Sequence, residues 1–240
     1  MSDVVRCAPP TCDPGLVAGG PVPSPDESAP DESAPDESAP DESAPDESAP
    51  DESAPDESAQ ASAAPYRQRW AVETMAVGPH DRLLEIGCGR GVAVSLVAGR
   101  LTTGRIVAID RAATMARLAT ERNASHIDSG TVEIRCAEFA SVDLPAGYFT
   151  KIFAVNVNLF WLGAATRQID RIRSLLAPGG RLYVFGERPT SVHPEANLTS
   201  TERLLRAQGF TTTATTEARG QGRVLTCVTA TPIPVAAPPG

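Results

Sequence analysis

From Tyr66 onward, short apolar runs alternate with stretches in which apolar residues recur every three or four positions, the spacings of strands and helices. Arg82-Leu-Leu-Glu-Ile86 is a short apolar run ending in glycines, which predicts a buried strand. Val92 to Leu101 predicts a helix, and Arg105-Ile-Val-Ala-Ile109 a second strand. Ala112 to about Asn123 predicts an alanine-rich helix with Met115 and Leu118 on one face. Thr131-Val-Glu-Ile-Arg135 and Lys151-Ile-Phe-Ala-Val155 give strands three and four. Ile169, Ile172, Leu175 and Leu176 then recur at helical spacing until Pro178-Gly179-Gly180 stops that helix, and Arg181-Leu-Tyr-Val-Phe185 is strand five. Thr199 with Glu202 forms a capping box before Leu204 and Leu205, and Gly209 supplies the C-cap. Threonine- and valine-rich runs over about 210–216 and 223–230 are joined by the short connection Ala218 to Gly222, the pattern of an antiparallel hairpin. Strands interleaved with helices imply an α/β, doubly wound, mostly parallel sheet covered on both faces. The C-terminal antiparallel hairpin brings it to seven strands.

The first quarter of the chain breaks this pattern. From Asp26 to Ala59 the unit Asp-Glu-Ser-Ala-Pro recurs seven times, with fourteen carboxylates and no basic residue. Proline at every fifth position forbids a continuous helix, and alanine alone cannot give each repeat an apolar face to stack as a solenoid. Residues 1–64 are therefore expected to be a disordered acidic tail, and residues 65–235 a single folded domain. The charge divides the same way. The whole chain is −9; the repeats carry −14 and Asp3, Arg6 and Asp13 together −1, which leaves residues 60–240 at +6. Lys151 is the sole lysine, so the surplus is arginine.

The five cysteines, at 7, 12, 88, 136 and 227, are too scattered for a zinc pattern. No apolar run approaches the length of a membrane span, and the N-terminus has no signal-peptide core, so a cytoplasmic protein is expected.

Candidate chemistry sits where the first strand ends. Glu85-Ile-Gly87-Cys-Gly89-Arg-Gly91 places three glycines at alternate positions between a strand and a helix, at the carboxyl edge of an open α/β sheet where ligands bind. A dinucleotide site requires G-x-G-x-x-G, but here the third position of that motif is Val92. Glu85, two residues before the first glycine, is an awkward neighbour for a pyrophosphate and a suitable one for a ligand bearing an ammonium and a sulfonium. Taken alone, Asp110 fits either a ligand contact or an N-cap for the next helix, and Glu138 either a ligand contact or a solvated loop acid. Cys88 and Cys136 read as small packing residues.

Leu-Leu-Glu85-Ile-Gly87-Cys-Gly89-Arg-Gly91 resembles the first motif, E/D-x-G-x-G-x-G, of the class I S-adenosylmethionine-dependent methyltransferases. Asp110, closing the second strand, is similar to that family's acid for both ribose hydroxyls. Ala137-Glu138 resembles the small-acidic pair that meets the adenine, and Leu144-Pro145 the segment after it. Phe149-Thr-Lys-Ile152 resembles a fourth motif, with Thr150 where the family usually has aspartate, and Leu176-Ala-Pro-Gly-Gly180-Arg-Leu the approach to strand five. The resemblance runs from about Tyr66 to Pro232. It implies S-adenosyl-L-methionine as cofactor, held by Glu85, Gly87, Cys88, Gly89, Gly91, Asp110, Arg111, Ala137, Glu138 and Asn156.

Methyl transfer from a sulfonium is an in-line displacement in which the protein chiefly positions the acceptor and excludes water. In the family the end of strand four borders the methyl group. Asn156 is thus a candidate acceptor-orienting group, with Phe160 and Trp161 as pocket walls; a capping asparagine and two core aromatics fit the same pattern. His193, in the loop after strand five, is a candidate general base by virtue of its pKa, or else a surface histidine. The Asp/Asn-Pro-Pro-aromatic motif of enzymes that methylate exocyclic or amide nitrogens is missing, and the segment has no paired carboxylates for magnesium, so metal independence is expected. The arginine pairs 67/69, 171/173 and 203/206 suit a basic surface for RNA or an acidic metabolite, or else solvated helix faces, the reading preferred. A small-molecule acceptor is favoured, with rRNA or tRNA methylation as the alternative and a cofactor-binding module without catalysis as the third reading.

Overall fold

The computed structural model describes residues 66–157, 166–189, 194–219 and 222–234. The acidic tail, Phe160, Trp161 and His193 lie outside the described residues. Within them the order is α1 (Tyr66–Thr74), β1 (Arg82–Ile86), α2 (Val92–Ala98), β2 (Arg105–Asp110), α3 (Ala113–Arg122), α4 (Ala124–Asp128), β3 (Val132–Cys136), β4 (Phe149–Val155), α5 (Thr166–Leu175), β5 (Leu176–Pro189), α6 (Pro194–Ala207), β6 (Phe210–Arg219) and β7 (Arg223–Pro232). One seven-stranded sheet runs β3-β2-β1-β4-β5-β7-β6. β1 to β5 are parallel, while β7 lies antiparallel to both β5 and β6. The chain winds outward from β1 in one direction through β2 and β3, then in the other through β4 and β5. The reversal between β1 and β4 opens a crevice at the carboxyl edge of the sheet.

Alternation along the strands builds two cores. Leu84, Val107, Ile152 and Leu182 face a cluster completed by Ile169 and Ile172 of α5 and Leu205 of α6. Leu83, Ile106, Phe153 and Tyr183 face the other way, against Trp70 of α1 and Val94 and Val97 of α2. Central strands buried on both faces read as continuous apolar runs, which explains their visibility in the sequence.

Several local expectations are corrected. The helix from Val92 stops at Ala98, with Gly99 at its C-cap, rather than reaching Leu101. On α3 Met115 and Leu118 do share a face and are half-buried, and the fully buried residues beside them are Ala116 and Ala119. Ala119 packs closely on the glycine loop: an added Cβ on Gly91 would lie 2.9 Å from the Ala119 Cβ. Pro178-Gly179-Gly180 follows rather than ends α5, and forms a β-bulge between the Phe149–Leu176 and Lys151–Arg181 pairs. Thr199 and Glu202 do not cap α6, which begins five residues before Thr199, at Pro194. Glu202 instead accepts from Arg206 Nη2 at 2.8 Å and from the Thr212 hydroxyl at 3.1 Å, tying α6 to β6. Gly209 does terminate the helix, with φ +73° and its N–H donating to the Arg206 carbonyl at 3.0 Å.

At the opposite edge, Thr150 occupies the place of an expected aspartate. Its hydroxyl donates to Asp81 Oδ1 at 2.8 Å, and Asp81 also accepts from the Gly78 N–H at 2.7 Å and from Lys151 Nζ. The acid beside Thr150 and Lys151 is thus Asp81, in the turn before β1.

Candidate methyl-donor site

The loop between β1 and α2 turns through three left-handed glycines, Gly87 (φ +75°), Gly89 (+54°) and Gly91 (+71°). Backbone N–H groups of Gly87 and Cys88 donate to the Ile109 carbonyl at 2.8 and 3.0 Å, holding the loop against the end of β2. At the end of β2, Asp110 accepts from the Gly89 N–H through Oδ2 at 2.8 Å and from the Ala112 N–H through Oδ1 at 2.9 Å. Asp110 is therefore not the N-cap of α3, a position held by Ala112, but the brace between the glycine loop and β2. A carboxylate has about four acceptor directions, so two remain for a ligand.

Gly91 and Gly89 differ in what surrounds them. An added Cβ on Gly91 would sit 2.6 Å from Asn123 Nδ2 and 3.0 Å from the Ala119 Cα, inside the protein. On Gly89 it would meet nothing within 4 Å, facing open space. The loop's far end is fixed by Asn123, fully buried, which donates to the carbonyls of Gly91 (3.2 Å) and Ala119 (2.8 Å) and accepts from Ser95 Oγ (2.7 Å). Asn123 escaped sequence reasoning because an asparagine after a helix looks like an ordinary terminus.

Glu85 lies beneath this loop, 2% exposed, and its Oε2 is buried without a hydrogen-bond partner. Burial, and then the nearby Asp110 charge, push its carboxyl well above the usual carboxylate range. The same burial, with Glu85 and Asp110 as neighbours, pushes the Cys88 thiol up strongly. Its side chain belongs to the core beside Trp70 and Met75, so it packs rather than reacts. Cys227 is likewise pushed up to about 12 by burial.

A cleft of about 560 Å³ opens at the switch point. It is lined by Ile86 and Gly87 after β1, Ile109 to Arg111 at β2, Ala137 to Ala140 after β3, Val155 to Val157 at β4, and Gln168 of α5. Of the sequence candidates, it gathers Gly87, Asp110, Arg111, Ala137, Glu138 and Asn156; Glu85, Cys88, Gly89 and Gly91 form the adjoining loop and its floor. The Ala137 N–H donates to the Asp110 carbonyl at 3.0 Å, joining two cleft-lining segments. Asn156 is left-handed (φ +56°), its N–H donates to the Phe185 carbonyl at 2.9 Å, and its Oδ1 accepts from the Glu187 N–H at 2.9 Å. This asparagine thus both borders the cleft and ties the end of β4 to β5. The Glu187 carboxylate, 8% exposed, is gripped by Arg67 Nη1 (2.7 Å) and Arg223 Nε (2.8 Å), which hold it below the usual range despite burial.

This donor set fits an S-adenosyl ligand: a buried carboxyl oxygen lacking a partner, a carboxylate with acceptor directions to spare, and a glycine facing empty space. Residues 83–180 match the model of a methyltransferase domain. Over this segment and in its fold, the chain resembles the class I S-adenosylmethionine-dependent methyltransferases. It is 31% identical over 126 residues to trans-aconitate 2-methyltransferase of Paracidovorax citrulli, covering 49% of this chain and 44% of that protein. It is 37% identical over 114 residues to nocamycin O-methyltransferase of Saccharothrix syringae, covering 46% and 39%. The chain thus matches less than half the length of these curated relatives. In fold it resembles an S-adenosylmethionine-dependent methyltransferase from Aquifex aeolicus, with TM-score 0.56 and 14% identity over 72% of this chain and 98% of that one. Among the described residues no helix is long and apolar enough to cross a membrane.

Proposed function

We propose that the methyltransferase domain moves the methyl group of S-adenosylmethionine onto a small-molecule acceptor by in-line displacement, without a metal ion. The observation that carries this reading is the buried Glu85 carboxyl, its Oε2 without a partner, under a glycine loop braced by Asp110. The bound cofactor would supply an electrophilic methyl and a thioether leaving group. The chain's own part is to hold and to exclude. Glu85 offers a negative partner for a cation, Asp110 accepts from ribose hydroxyls, and the backbone around Gly89 leaves room for the ligand. Ala137 and Glu138 flank the base. Asn156, with Oδ1 engaged by Glu187, keeps its amide N–H groups as donors toward an acceptor oxygen. An acceptor that is already anionic needs no base; a neutral hydroxyl does, and His193 is the proposed group. The small-acceptor reading is supported by the relatives, whose names specify trans-aconitate and nocamycin.

The RNA alternative depends on free arginines, and many are engaged within the domain. Arg67 and Arg223 hold Glu187, Arg206 pairs with Glu202 at 2.8 Å, Arg105 with Glu133 at 2.8 Å, and Arg173 lies 5.0 Å over the Phe210 ring.

Asp110→Ala tests the cofactor half of the reading. Charge-assisted hydrogen bonds contribute about 1.5–3 kcal/mol each, so the change should weaken S-adenosylmethionine at least about tenfold. S-adenosylhomocysteine, with the same ribose, should lose as much. Unchanged affinity for both in a calorimetric titration would remove Asp110 from the site. Transfer of labelled methyl to a panel of carboxylic and hydroxylated metabolites tests the acceptor half. Label appearing in RNA alone would overturn it.

A further inference from the structure

We propose that Gln168 is a cofactor-binding residue that reads the 6-amino group of the adenine, an inference that rests on the S-adenosylmethionine reading above. Gln168 lies on α5, outside the glycine loop and the strand ends, and it lines the same cleft as Asp110 and Ala137. Its side-chain carbonyl Oε1 is buried and has no hydrogen-bond partner. A buried acceptor left unpaired carries a desolvation cost that a ligand donor would relieve.

Its neighbours place it at the base rather than at the ribose. Arg171 follows three residues later on the same helical face. That guanidinium lies 5.4 Å over the Phe139 ring and donates to the Val142 carbonyl, so this face of α5 is pinned to the segment after β3. The cleft wall here is Ala137, Phe139 and Ala140, with Ile109 and Val157, which suits a flat purine. The other polar side chains beside this wall, Arg111 and Glu138, are exposed. Gln168 thus offers a shielded acceptor, and the exocyclic donor that adenine presents is its 6-amino group.

α5 is anchored by Ile169, Ile172 and Leu175, none of which the substitutions alter. The experiment is calorimetric titration of the full chain with S-adenosylhomocysteine and with S-inosylhomocysteine, in which a 6-oxo group replaces the 6-amino group. Wild-type protein should prefer the adenosyl ligand at least about tenfold. Gln168→Ala should lose about tenfold in affinity for S-adenosylhomocysteine and leave the inosyl ligand unchanged, so that the preference collapses. Gln168→Glu, which keeps an acceptor, should retain it. Tight S-adenosylhomocysteine binding with a preference that survives Gln168→Ala would overturn the assignment while leaving the cofactor reading intact. Binding of neither ligand by the wild type would overturn both.

Discussion

Glu85→Gln should make the ligand-free domain more stable at pH 8 while weakening its hold on S-adenosylmethionine by one to two orders of magnitude. The folded carboxyl is raised, by burial first and by Asp110 second. Between the ordinary carboxylate range and that raised value, the folded state holds a proton that the unfolded state has released. Stability is therefore fully present at low pH and declines as pH climbs through this window. Each pH unit within it costs about 1.4 kcal/mol. Glutamine has the same shape and no titration, so the decline should vanish. For a domain of this size a gain of about 1 kcal/mol raises the melting temperature by about 2–4 °C. Cofactor binding should run the other way. An ammonium or sulfonium beside Glu85 favours the ionised form, so wild-type binding should release a proton and tighten with rising pH, about tenfold per unit at most. The variant should bind more weakly, with no pH slope over that range. Melts from pH 5 to 9, with titrations in two buffers of different ionisation enthalpy, check both halves. A wild-type melting temperature that is flat across this range would show that Glu85 is not the buried acid described.

The same substitution at two glycines, four and six residues after Glu85, should fail in opposite ways. Gly89→Ala adds a methyl that meets no protein atom within 4 Å. Its left-handed backbone costs on the order of 1–2 kcal/mol, so the domain should stay folded. The methyl would enter the ligand's space, and S-adenosylhomocysteine affinity should fall at least about a hundredfold. At Gly91 the added Cβ would lie 2.6 Å from Asn123 Nδ2, 2.9 Å from the Ala119 Cβ and 3.0 Å from backbone of α3. The helix must shift, and the bonds from Asn123 to Gly91 and Ala119 go with it. Overpacking plus a broken buried network should cost more than about 3 kcal/mol. Thermal melts and binding assays run in parallel separate the two. Equal melting temperatures for the variants would contradict the distinct roles assigned.

This contrast also marks how far the sequence alone could be read. The parallel strands were legible because burial on both faces makes them continuous apolar runs, as in Leu83–Leu84 and Ile106–Ile109. The glycine loop and Asp110 were legible because their chemistry sits in adjacent residues at strand ends. What the sequence hid depends on distant contacts. Nothing around Gln168 announces that the residue lines a cleft, and Asn123 becomes a brace through Gly91 and Ser95, 32 and 28 residues away. Glu187 is gripped by Arg67 and Arg223, from opposite ends of the domain. The Thr199–Glu202 motif misled for the same reason: its local signal was sound, but Glu202 serves β6 instead.

The central claim is that the cleft at the β1–β4 switch point is built for an S-adenosyl ligand. Calorimetric titration of the full chain with S-adenosylhomocysteine, and separately with NADH, tests it most directly. A single-site isotherm for S-adenosylhomocysteine, weakened at least about tenfold by Asp110→Ala, with no response to NADH, is the predicted result. Tight NADH binding with no response to S-adenosylhomocysteine or S-adenosylmethionine would contradict the account.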